Sequence, residues 1–456
     1  MPIKLHAQYG PIVRIRPNTV IIDDPQHFGE LFNWPKSDFF LSGRGDPHVV
    51  SHGAELDLHL HKIKKRRIMG GFTMSQVLKN ESCLDRRVME FLDQLAKKCD
   101  TIFDMAPWTQ FATFDIAMDM IFSNPVGFLK AGRDVDNIIA TLHSTFTFFG
   151  VAGLQPWIAR IMYHPWIFPL IGPKPTDKRG PGAFLGFTQK QVASRLDKAM
   201  DAARPDILQW ILDHADKDSQ HTMTKPMLEQ ESMGVALAAS DSTAGTLRAI
   251  VLAVASNARI LTKLRREIDA ADAQGALSTP PTYDQIKQHI PYLEVVFKEA
   301  QRTYPIVGLP LFRTVPKSGA HIAGHFFPAG TEVGVSQWAV GHNPRVYGED
   351  VALFRPERWS EDLCHDPDAR RRRDQAEIWF SRGPMMCTGR NIAMVEVYKI
   401  VAQFFRFFDV EVVNTTSPWT VKALLVIVHS NFLVKLTKRE GKAEAEVRKD
   451  HGQDQI

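Results

Sequence analysis

Cysteine is scarce in this chain, and so is an excess of charge of either sign. Both shortages exclude classes of protein. Cys83, Cys99, Cys364 and Cys387 lie far apart without a CxxC pair, which argues against a disulfide framework and against a structural zinc site. The formal net charge of +4 over 456 residues gives no case for nucleic acid as a partner. These counts fit a cytosol-facing protein.

Long hydrophobic runs are also missing. No stretch reaches the roughly 18 consecutive apolar residues of a membrane-spanning helix. The N-terminus MPIKLHAQYG lacks the apolar region of a signal peptide. We therefore expect the chain as given to be soluble or peripheral to a membrane. What the sequence does have is size, since 456 residues with 44% hydrophobic content can bury a large core.

Sequence patterns in the N-terminal half predict two strands followed by many helices. The segment IVRIRPNTVII, residues 12–22, reads as two strands joined by a tight turn. Helical periodicity dominates residues 61–200. Thr224 followed by Pro226 marks a helix start, and no proline appears before Pro280. A helix of about 30 residues, long enough to cross a core, is therefore expected there.

The C-terminal half predicts further helices and a final pair of strands. Helices are expected over 293–303 and 390–408, and the apolar run LLVIVHSNFLVKL predicts a terminal hairpin. The segment from residue 437 is polar and is predicted to be a disordered tail. Without a repeat or an obvious linker, we predict one mainly α domain with a minor β component over 1–436, followed by the tail 437–456.

One cysteine stands in an unusual loop, FSRGPMMCTGR, between two glycines and ahead of a predicted helix. Gly383 and Gly389 allow backbone N–H groups to approach the sulfur of Cys387. The helix after Gly389 adds the positive end of its dipole, so both effects favour the thiolate. A stabilised thiolate is a nucleophile or a metal ligand, and the alternative is a buried structural cysteine. A nucleophile would need a nearby histidine base, which sequence alone cannot place.

Two other segments carry charged residues that point to a buried ion network. In FKEAQRTYP, Glu299 and Arg302 lie three apart on one face of a predicted helix. In FRPERW, Arg358 could complete a three-membered network with them. Such a network is strong only when it is desolvated and fully hydrogen-bonded. The alternative is an ordinary surface ion pair.

The middle of the long predicted helix contains an acid in an apolar setting, AASDSTAG. Burying Asp241 there costs free energy unless its carboxylate has a hydrogen-bonding or ionic partner or a functional role. The neighbouring hydroxyls of Ser242 and Thr243 could relay protons to something bound against the small residues Ala238 and Ala239. The alternative is a helix kink with locally satisfied hydroxyls.

The order of these elements resembles the cytochrome P-450 haem-thiolate enzymes. The pattern FxxGxxxCxG follows ExxR, PERW lies between them, and an (A/G)xxD(S/T)(T/S) helix precedes all three. The resemblance extends from the first strands to the last, and each motif is modest alone. It implies the cytochrome P-450 fold: one large helical domain with small sheets around a buried haem b (iron protoporphyrin IX).

The resemblance implies a role for each matching residue. Cys387 would be the axial ligand of the haem iron, and Glu299, Arg302 and Arg358 would form the structural triad behind the haem. Asp241 and Ser242, with Thr243 beside them, would be the acid–alcohol pair that supplies protons for oxygen activation. The remaining haem-binding positions are Phe380, Gly383, Gly389, Ala393, His61, Lys65 and Arg313.

The sequence departs from the family pattern at several of these positions. Two residues before the cysteine the family usually has a basic residue for a haem propionate, but here Met385 stands there, so Arg382 or Arg390 would have to replace it. The donors on an earlier helix are His61 and Lys65, and Lys lacks the bidentate fork of Arg. The alcohol is Ser242 where Thr is usual, and Ala239 replaces the usual Gly.

The implied function is a monooxygenase that uses O2 and electrons from NADPH. Because no dinucleotide fingerprint follows a strand, a separate NADPH-cytochrome reductase, a flavoprotein, is expected. It would dock on the basic cysteine-side surface, where 62–67 and 370–373 are rich in Lys and Arg. The predicted substrate is a small apolar molecule, such as a secondary metabolite. The apolar stretch GVAGLQPWIARIMYHPWIFPLIG could contact a membrane surface, at the cytosolic face of the endoplasmic reticulum if a longer form supplies an anchor.

Three other functions stay open from the sequence. The same fold supports haem-thiolate isomerases or dehydratases that need no external electrons, although Asp241 and Ser242 favour oxygen activation. A degraded member that binds haem poorly would act only as a binding protein, which Met385 keeps open. A cysteine hydrolase would show turnover without haem.

Overall fold

The structure is a computed structural model that describes residues 2–197, 206–215, 223–360, 366–423 and 425–440. Cys364 and most of the predicted tail, residues 441–456, lie outside the described residues. The fold is mainly α, as predicted. The helices are α1 (Pro2–Tyr9), α2 (Phe28–Leu31), α3 (Leu58–Met69), α4 (Met74–Lys79), α5 (Glu81–Ala96), α6 (Met105–Phe122), α7 (Phe128–Ala131), α8 (Ile138–Leu154), α9 (Pro156–Met162), α10 (Phe168–Ile171), α11 (Gly180–Asp197), α12 (Ile207–Ala215), α13 (Lys225–Ala255), α14 (Ala258–Ala273), α15 (Tyr283–His289), α16 (Tyr292–Thr303), α17 (Gln337–Gly341), α18 (Pro344–Tyr347), α19 (Pro367–Ala376) and α20 (Arg390–Phe407).

Short strands form small sheets around this helical body. They are β1 (Ile12–Arg16), β2 (Thr19–Ile22), β3 (Ile102–Asp104), β4 (Leu311–Thr314), β5 (Ala320–Ile322), β6 (His325–Phe327), β7 (Glu332–Val335), β8 (Phe408–Val412), β9 (Thr420–Ala423), β10 (Ile427–Ser430) and β11 (Leu433–Lys438). The first sheet has the order β1-β2-β7-β4, in which β2 and β7 run parallel and the other pairs antiparallel. The predicted pairing within residues 12–22 is confirmed.

The long helix α13 begins where the sequence predicts. Thr224 caps it by accepting a hydrogen bond from the N–H of Met227 at 3.4 Å, and Pro226 occupies the first turn. Its 31 residues extend about 46 Å. Helices α13 and α6 are buried on almost all sides, which is typical of helices in the centre of a large core.

Within the part of the chain that the structure describes, two helices are long and apolar enough to cross a membrane by length and composition. They are 135–154 and Lys225–Ala255, and 56% and 78% of their apolar windows are buried inside the fold. Burial of this kind is typical of core helices in a large globular protein.

The predicted terminal hairpin is wrong. Strand β10 pairs with β9, whereas β11 lies between β3 and β8 in a different sheet. The cause is Asp104, whose carboxylate accepts hydrogen bonds from the N–H groups of Asn431 at 3.0 Å and Phe432 at 2.9 Å. Because these two residues connect the strands, the carboxylate directs β11 towards β3.

Two further differences lie at the ends of the chain. The sequence patterns did not predict the short helix α1. In this helix, His6 Nδ1 lies 2.9 Å from the carbonyl oxygen of Gly10. At the other end, β11 continues through Thr437 and Lys438, and Arg439 forms an ion pair with Asp269 at 2.8 Å. The ordered sheet therefore includes residues that were assigned to the tail.

Candidate active site

The loop before α20 holds Cys387 by its main chain. The Cys387 N–H donates to the carbonyl of Phe380 at 2.7 Å. Gly383 has a φ of +56°, the left-handed conformation in which a side chain would be strained. Gly389 instead has an ordinary φ of −83° and caps α20. Only the first glycine is therefore required by backbone conformation.

The surroundings of the Cys387 sulfur both raise and lower its pKa. Desolvation of the sulfur raises the pKa of the thiol, and this effect outweighs the N–H groups of Gly389 and Arg390 and the charges of Lys65 and Arg390, which lower it. The residue as a whole is exposed to solvent, which weakens that desolvation. The stabilised thiolate therefore stays a prediction, and the N–H donors and neighbouring charges that favour it are in place.

A nucleophilic role for Cys387 has little support. Within the described residues no histidine is hydrogen-bonded to its sulfur. The nearby His52 instead places Nε2 at 3.1 Å from Thr388 Oγ1 and Nδ1 at 2.6 Å from Glu231 Oε2. His52 thereby links α13 to the cysteine loop. A cysteine with a raised pKa and no histidine partner lacks the activation that hydrolases need.

Aromatic and small residues surround the loop. The Phe380 ring stacks on Phe297 with centroids 6.3 Å apart, and the Arg390 guanidinium lies 5.9 Å from the Phe380 centroid. Ala393 lies in the first turn of α20, where its N–H donates to the Gly389 carbonyl at 3.0 Å. A Cβ built on Gly389 would meet no atom within 4 Å. Open space therefore lies directly beside the cysteine.

Glu299, Arg302 and Arg358 lie together in a buried ion network. Arg302 donates to both oxygens of Glu299, at 2.9 Å and 2.7 Å, and Arg358 Nε donates to Oε1 at 3.0 Å. The side chains of all three are at most 1% exposed. The Trp359 indole N–H and the Arg355 main-chain N–H also donate to Glu299, each at 2.8 Å. Every charge in this network is satisfied by protein.

One face of α13 has accessible surface in mid-helix. Ala238 is exposed and Ala239 and Ser242 are half-buried, although Ser240 and Asp241 on the other side are buried. The Ser242 hydroxyl donates to the Ala238 carbonyl at 2.9 Å. The small residues at this point thus leave open space against the helix.

Asp241 and Thr243 are buried, and their side chains form hydrogen bonds with residues other than Ser242. Asp241 Oδ1 lies 2.8 Å from Gln110 Nε2 and 3.1 Å from His143 Nε2, whereas Oδ2 has no hydrogen-bond partner. Thr243 donates to the Ala239 carbonyl at 3.3 Å. Among the described side chains, no hydrogen bond joins Asp241 to Ser242. Sequence reasoning missed Gln110 and His143, because nothing local links them to a residue so distant along the chain.

Basic side chains gather beside the cysteine loop. His61 Nε2 lies 3.1 Å from the Pro384 carbonyl, and Lys65 donates to the carbonyls of Pro384, at 3.0 Å, and Met386. Arg313 is 3% exposed, and its Nε has no partner. Sequence reasoning missed a fourth member of this group, Lys36, whose main chain forms a β-bridge with that of Arg313.

Arg382 and Arg390, the two basic residues that could replace the cation absent at Met385, differ in their contacts. Met385 itself is buried in the apolar cluster around the first sheet. Arg382 donates to the carbonyls of Gln375 at 2.8 Å and Asp374 at 2.7 Å, so the end of α19 occupies it. Arg390 remains beside Phe380.

These features fit a haem. The open space at Gly389 lies beside the one metal-binding side chain of the loop. The unpartnered Arg313 Nε is a buried donor that the carboxylates of a porphyrin would satisfy. Among the described residues, no group of three or more His, Cys, Asp or Glu could hold a metal ion. A single thiolate suits an iron whose other ligands come from a porphyrin.

Comparisons with known proteins agree with this geometry. The Cytochrome P450 family model matches residues 1–436. A "Cytochrome P450 monooxygenase" of Aspergillus terreus is 32% identical over 425 residues, which cover 89% of this chain and 84% of the relative. "Cytochrome P450 monooxygenase aba1" of Botryotinia fuckeliana is 27% identical over 450 residues, covering 96% and 86%. The solved structure of the cytochrome P450DA heme domain matches in fold, with a TM-score of 0.76 at 15% identity, covering 94% of this chain and 90% of that one.

Proposed function

The chain belongs to the cytochrome P450 family of haem-thiolate monooxygenases, and on this basis we propose that it oxidises a small apolar substrate at a haem held by Cys387. The observation that carries this proposal is the cysteine loop, where N–H donors surround the sulfur and open space lies beside Gly389. Its curated relatives are fungal enzymes, which favours a secondary metabolite as the substrate.

When bound, the haem uses O2, two electrons and two protons to place one oxygen atom in the substrate and release the other as water. The chain's own residues prepare the site for this chemistry. Cys387 would hold the haem iron as a thiolate, its proton passing to solvent, and the N–H groups of Gly389 and Arg390 would stabilise the negative sulfur. The triad of Glu299, Arg302 and Arg358 holds the segments behind the loop in place.

We assign the supply of protons to Asp241 and Ser242. Asp241 Oδ2 has no partner, so it can accept or release a proton without breaking a hydrogen bond. His143, whose side chain is 25% exposed, contacts Asp241 Oδ1 and can exchange protons with solvent. The half-buried Ser242 presents its hydroxyl on the open face of α13, although transfer to it from Asp241 needs a side-chain rotation or a bridging water.

We propose that apolar residues near α8 form part of the substrate pocket. Val307 and Val426 form a β-bridge, and the Leu309 side chain and the Leu425 main-chain nitrogen each lie 3.9 Å from a Cβ built on Gly150 in α8. An apolar lining with few polar groups favours an apolar substrate, held by shape and burial of its surface.

Cytochrome P450 monooxygenases generally receive electrons from a separate reductase, and we propose that here an NADPH-dependent flavoprotein docks on α3. Lys62 and Arg66 are exposed and lie four residues apart on one helical face, while Lys65 of the same helix holds the cysteine loop. In α19, Arg371 forms an ion pair with Asp368 of the same helix and Arg372 with Asp366, the N-cap residue, so both are less available.

The docking surface is tested by the reductase concentration that gives half-maximal turnover. Lys62→Ala with Arg66→Ala should raise that concentration several-fold at low salt, because electrostatic steering is lost, and less at high salt. Arg371→Ala with Arg372→Ala is the matched control and should have a smaller effect. An equal or larger effect of the control pair would move the docking site to α19.

We further propose peripheral contact with a membrane, at the cytosolic face of the endoplasmic reticulum, through α9 and α10. Trp157, Trp166, Leu170 and Ile171 are between 59% and 83% exposed in this region. The exposed bases Lys174, Lys178 and Arg179 follow directly. Exposed aromatic and aliphatic side chains beside bases are typical of surfaces that lie at a lipid interface.

Membrane contact is tested by co-sedimentation with vesicles of phosphatidylcholine and phosphatidylserine. Trp166→Ser with Leu170→Ser should lower the bound fraction, because apolar side chains that would enter the interface are removed. Val421→Ser, at another exposed apolar position, is the control and should leave binding unchanged. Equal binding by all three proteins would contradict this surface.

The reaction class is tested by turnover in ¹⁸O2 with NADPH and a fungal cytochrome P450 reductase, over a panel of apolar compounds. We expect a product that carries one ¹⁸O atom and that appears only with NADPH. A product formed at the same rate without O2 and NADPH would instead identify an isomerase or dehydratase.

A further inference from the structure

Lys36 is a buried lysine with no carboxylate partner. It is 6% exposed and lies in the loop between α2 and α3. Its ammonium donates to the main-chain carbonyls of His52 at 2.8 Å and Gly53 at 2.7 Å. No carboxylate of a described residue forms an ion pair with it. A buried ammonium in this state is destabilised unless a further anionic partner is available.

The nearest acids are already engaged. Glu55 pairs with Lys64 at 2.5 Å, and Glu231 accepts hydrogen bonds from the N–H of His52 and contacts its ring. The burial of Lys36, together with the charge of Arg313, lowers the pKa of its ammonium to about 7. The group that would restore this charge must therefore come from outside the described chain.

The hydrogen-bond partners of Lys36 are all neutral groups. Its Nζ lies 2.8 Å and 2.7 Å from the two carbonyls and 3.3 Å from His61 Nδ1. A His61 ring protonated on Nδ1 donates to the His52 carbonyl, whereas a ring protonated on Nε2 donates to the Pro384 carbonyl and accepts from Lys36 at Nδ1. In either state the described residues supply Lys36 with no negatively charged partner.

Arg313 lies beside Lys36 and also has no carboxylate partner among the described residues. Its Nη1 donates to the carbonyl of Phe312 at 2.8 Å, its Nε has no partner, and it forms no ion pair with a described residue. The main chains of Lys36 and Arg313 form an isolated β-bridge, so the two residues lie side by side. Two adjacent buried cations without a described carboxylate partner make a site for a carboxylate.

We propose that Lys36 supplies the cation that is missing at Met385 and, together with Arg313, binds a propionate carboxylate of the haem. This inference rests on the proposed function, since it requires a haem. It assigns the role to a residue 351 positions from Cys387 along the chain and removes the need for Arg382, which is engaged at the end of α19.

A different role for Lys36 must be distinguished from this one. Its bonds to the carbonyls of His52 and Gly53 could serve only to hold that loop, and His52 contacts the cysteine loop through Thr388. A loop clamp would support any porphyrin equally. Binding of a propionate depends on the charge of the porphyrin side chain, so a neutral porphyrin separates the two roles.

The test uses the full chain freed of haem and reconstituted with iron protoporphyrin IX or with its dimethyl ester, in which both propionates are neutral. The rate of transfer to excess serum albumin is followed at the Soret band. For Lys36→Met we expect the acidic porphyrin to leave about tenfold to a hundredfold faster than from the unsubstituted protein, because a charge-assisted hydrogen bond is lost. The ester should leave both proteins at the same rate.

Two further variants guard against a loss of structure. Lys36→Gln retains amide donors for the loop carbonyls without the charge, and should show the same dependence on the porphyrin. Lys64→Met is the matched control, because Lys64 also donates to a carbonyl of this loop, that of Val50, at 2.8 Å, but pairs with Glu55. It should not distinguish haem from the ester.

The outcomes separate this inference from the proposed function. Equal acceleration of both porphyrins in the Lys36 variants would show a loop clamp and overturn the inference, as would no acceleration of either. If the unsubstituted protein binds haem without the thiolate-type spectrum given by reduction and carbon monoxide, the proposed function fails instead.

Discussion

Two groups of buried charges lie on either side of the cysteine loop, and only one is complete. In the triad, Glu299 accepts from Arg302, Arg358, Trp359 and the Arg355 main chain, so each charge has its partner. In the cation group, Arg313 Nε has no hydrogen-bond partner among the described residues, and neither Lys36 nor Arg313 forms an ion pair with a described acid. The triad is a property of the protein alone, whereas the cation group is balanced only when an anion is bound.

The largest expected effect comes from breaking the complete group. Glu299→Gln should destabilise the haem-free protein by about 3–5 kcal/mol, because the buried Arg302 guanidinium loses its counter-charge and Arg358 keeps only its ion pair with Asp350. The measurement is the free energy of unfolding in urea. A loss below about 1 kcal/mol would contradict the description of the triad as a fully desolvated network.

The next largest effect concerns Asp241. Its Oδ1 has hydrogen-bond partners and its Oδ2 has none among the described residues, so this carboxylate is intermediate between the complete triad and the incomplete cation group. Asp241→Asn should lower the turnover number by about a hundredfold with little change in substrate affinity, because an amide cannot pass a proton. The solvent deuterium isotope effect on turnover should increase. An unchanged turnover number would remove Asp241 from the proton path.

Removing a charge from the incomplete cation group should change the free energy of unfolding much less than removing one from the triad. Arg313→Met should change the unfolding free energy of the haem-free protein by no more than about 1 kcal/mol, since an unpaired buried cation is replaced by an apolar side chain. It should nevertheless speed the loss of haem. A stability loss as large as that of Glu299→Gln would show that the Arg313 guanidinium has an anionic partner within the protein.

The most gradual effect is a dependence of stability on pH. Burial lowers the pKa of His61 to about 4 and that of His429 to about 3. Between these values and the unfolded pKa near 6.5, the unfolded chain holds more protons, so stability falls as pH decreases. Each histidine contributes at most about 1.4 kcal/mol per pH unit.

This pH dependence is measured as the urea midpoint of the haem-free protein at pH 7, 6 and 5. His429→Phe should flatten the decrease, and it leaves the cation group intact, so the slope that remains includes the contribution of His61. The same slope in both proteins would show that the pKa of His429 is the same in the folded and unfolded states, contrary to this account.

Local signals in the sequence predicted most of the helices. Thr224 and Pro226 mark the start of α13 because a capping hydroxyl and an early proline act within one helical turn. The end of α16 and the start of α20 follow from signals of the same short range. The sequence motifs also placed Glu299, Arg302 and Arg358 in segments that the structure brings together.

What the sequence did not predict depends on distant partners. Asp104 redirects β11 from far along the chain, and Gln110 and His143 reach Asp241 from α6 and α8. Lys36 gives no signal until its main chain is seen beside that of Arg313.

The central claim is that Cys387 binds the haem iron as a thiolate, and the most direct measurement is the carbon monoxide difference spectrum of the dithionite-reduced, haem-supplemented protein. We expect the thiolate-type band from the unsubstituted chain and its loss in Cys387→Ser, with the fold retained by circular dichroism. The same band in Cys387→Ser, or no such band from folded, haem-loaded unsubstituted protein, would contradict the claim.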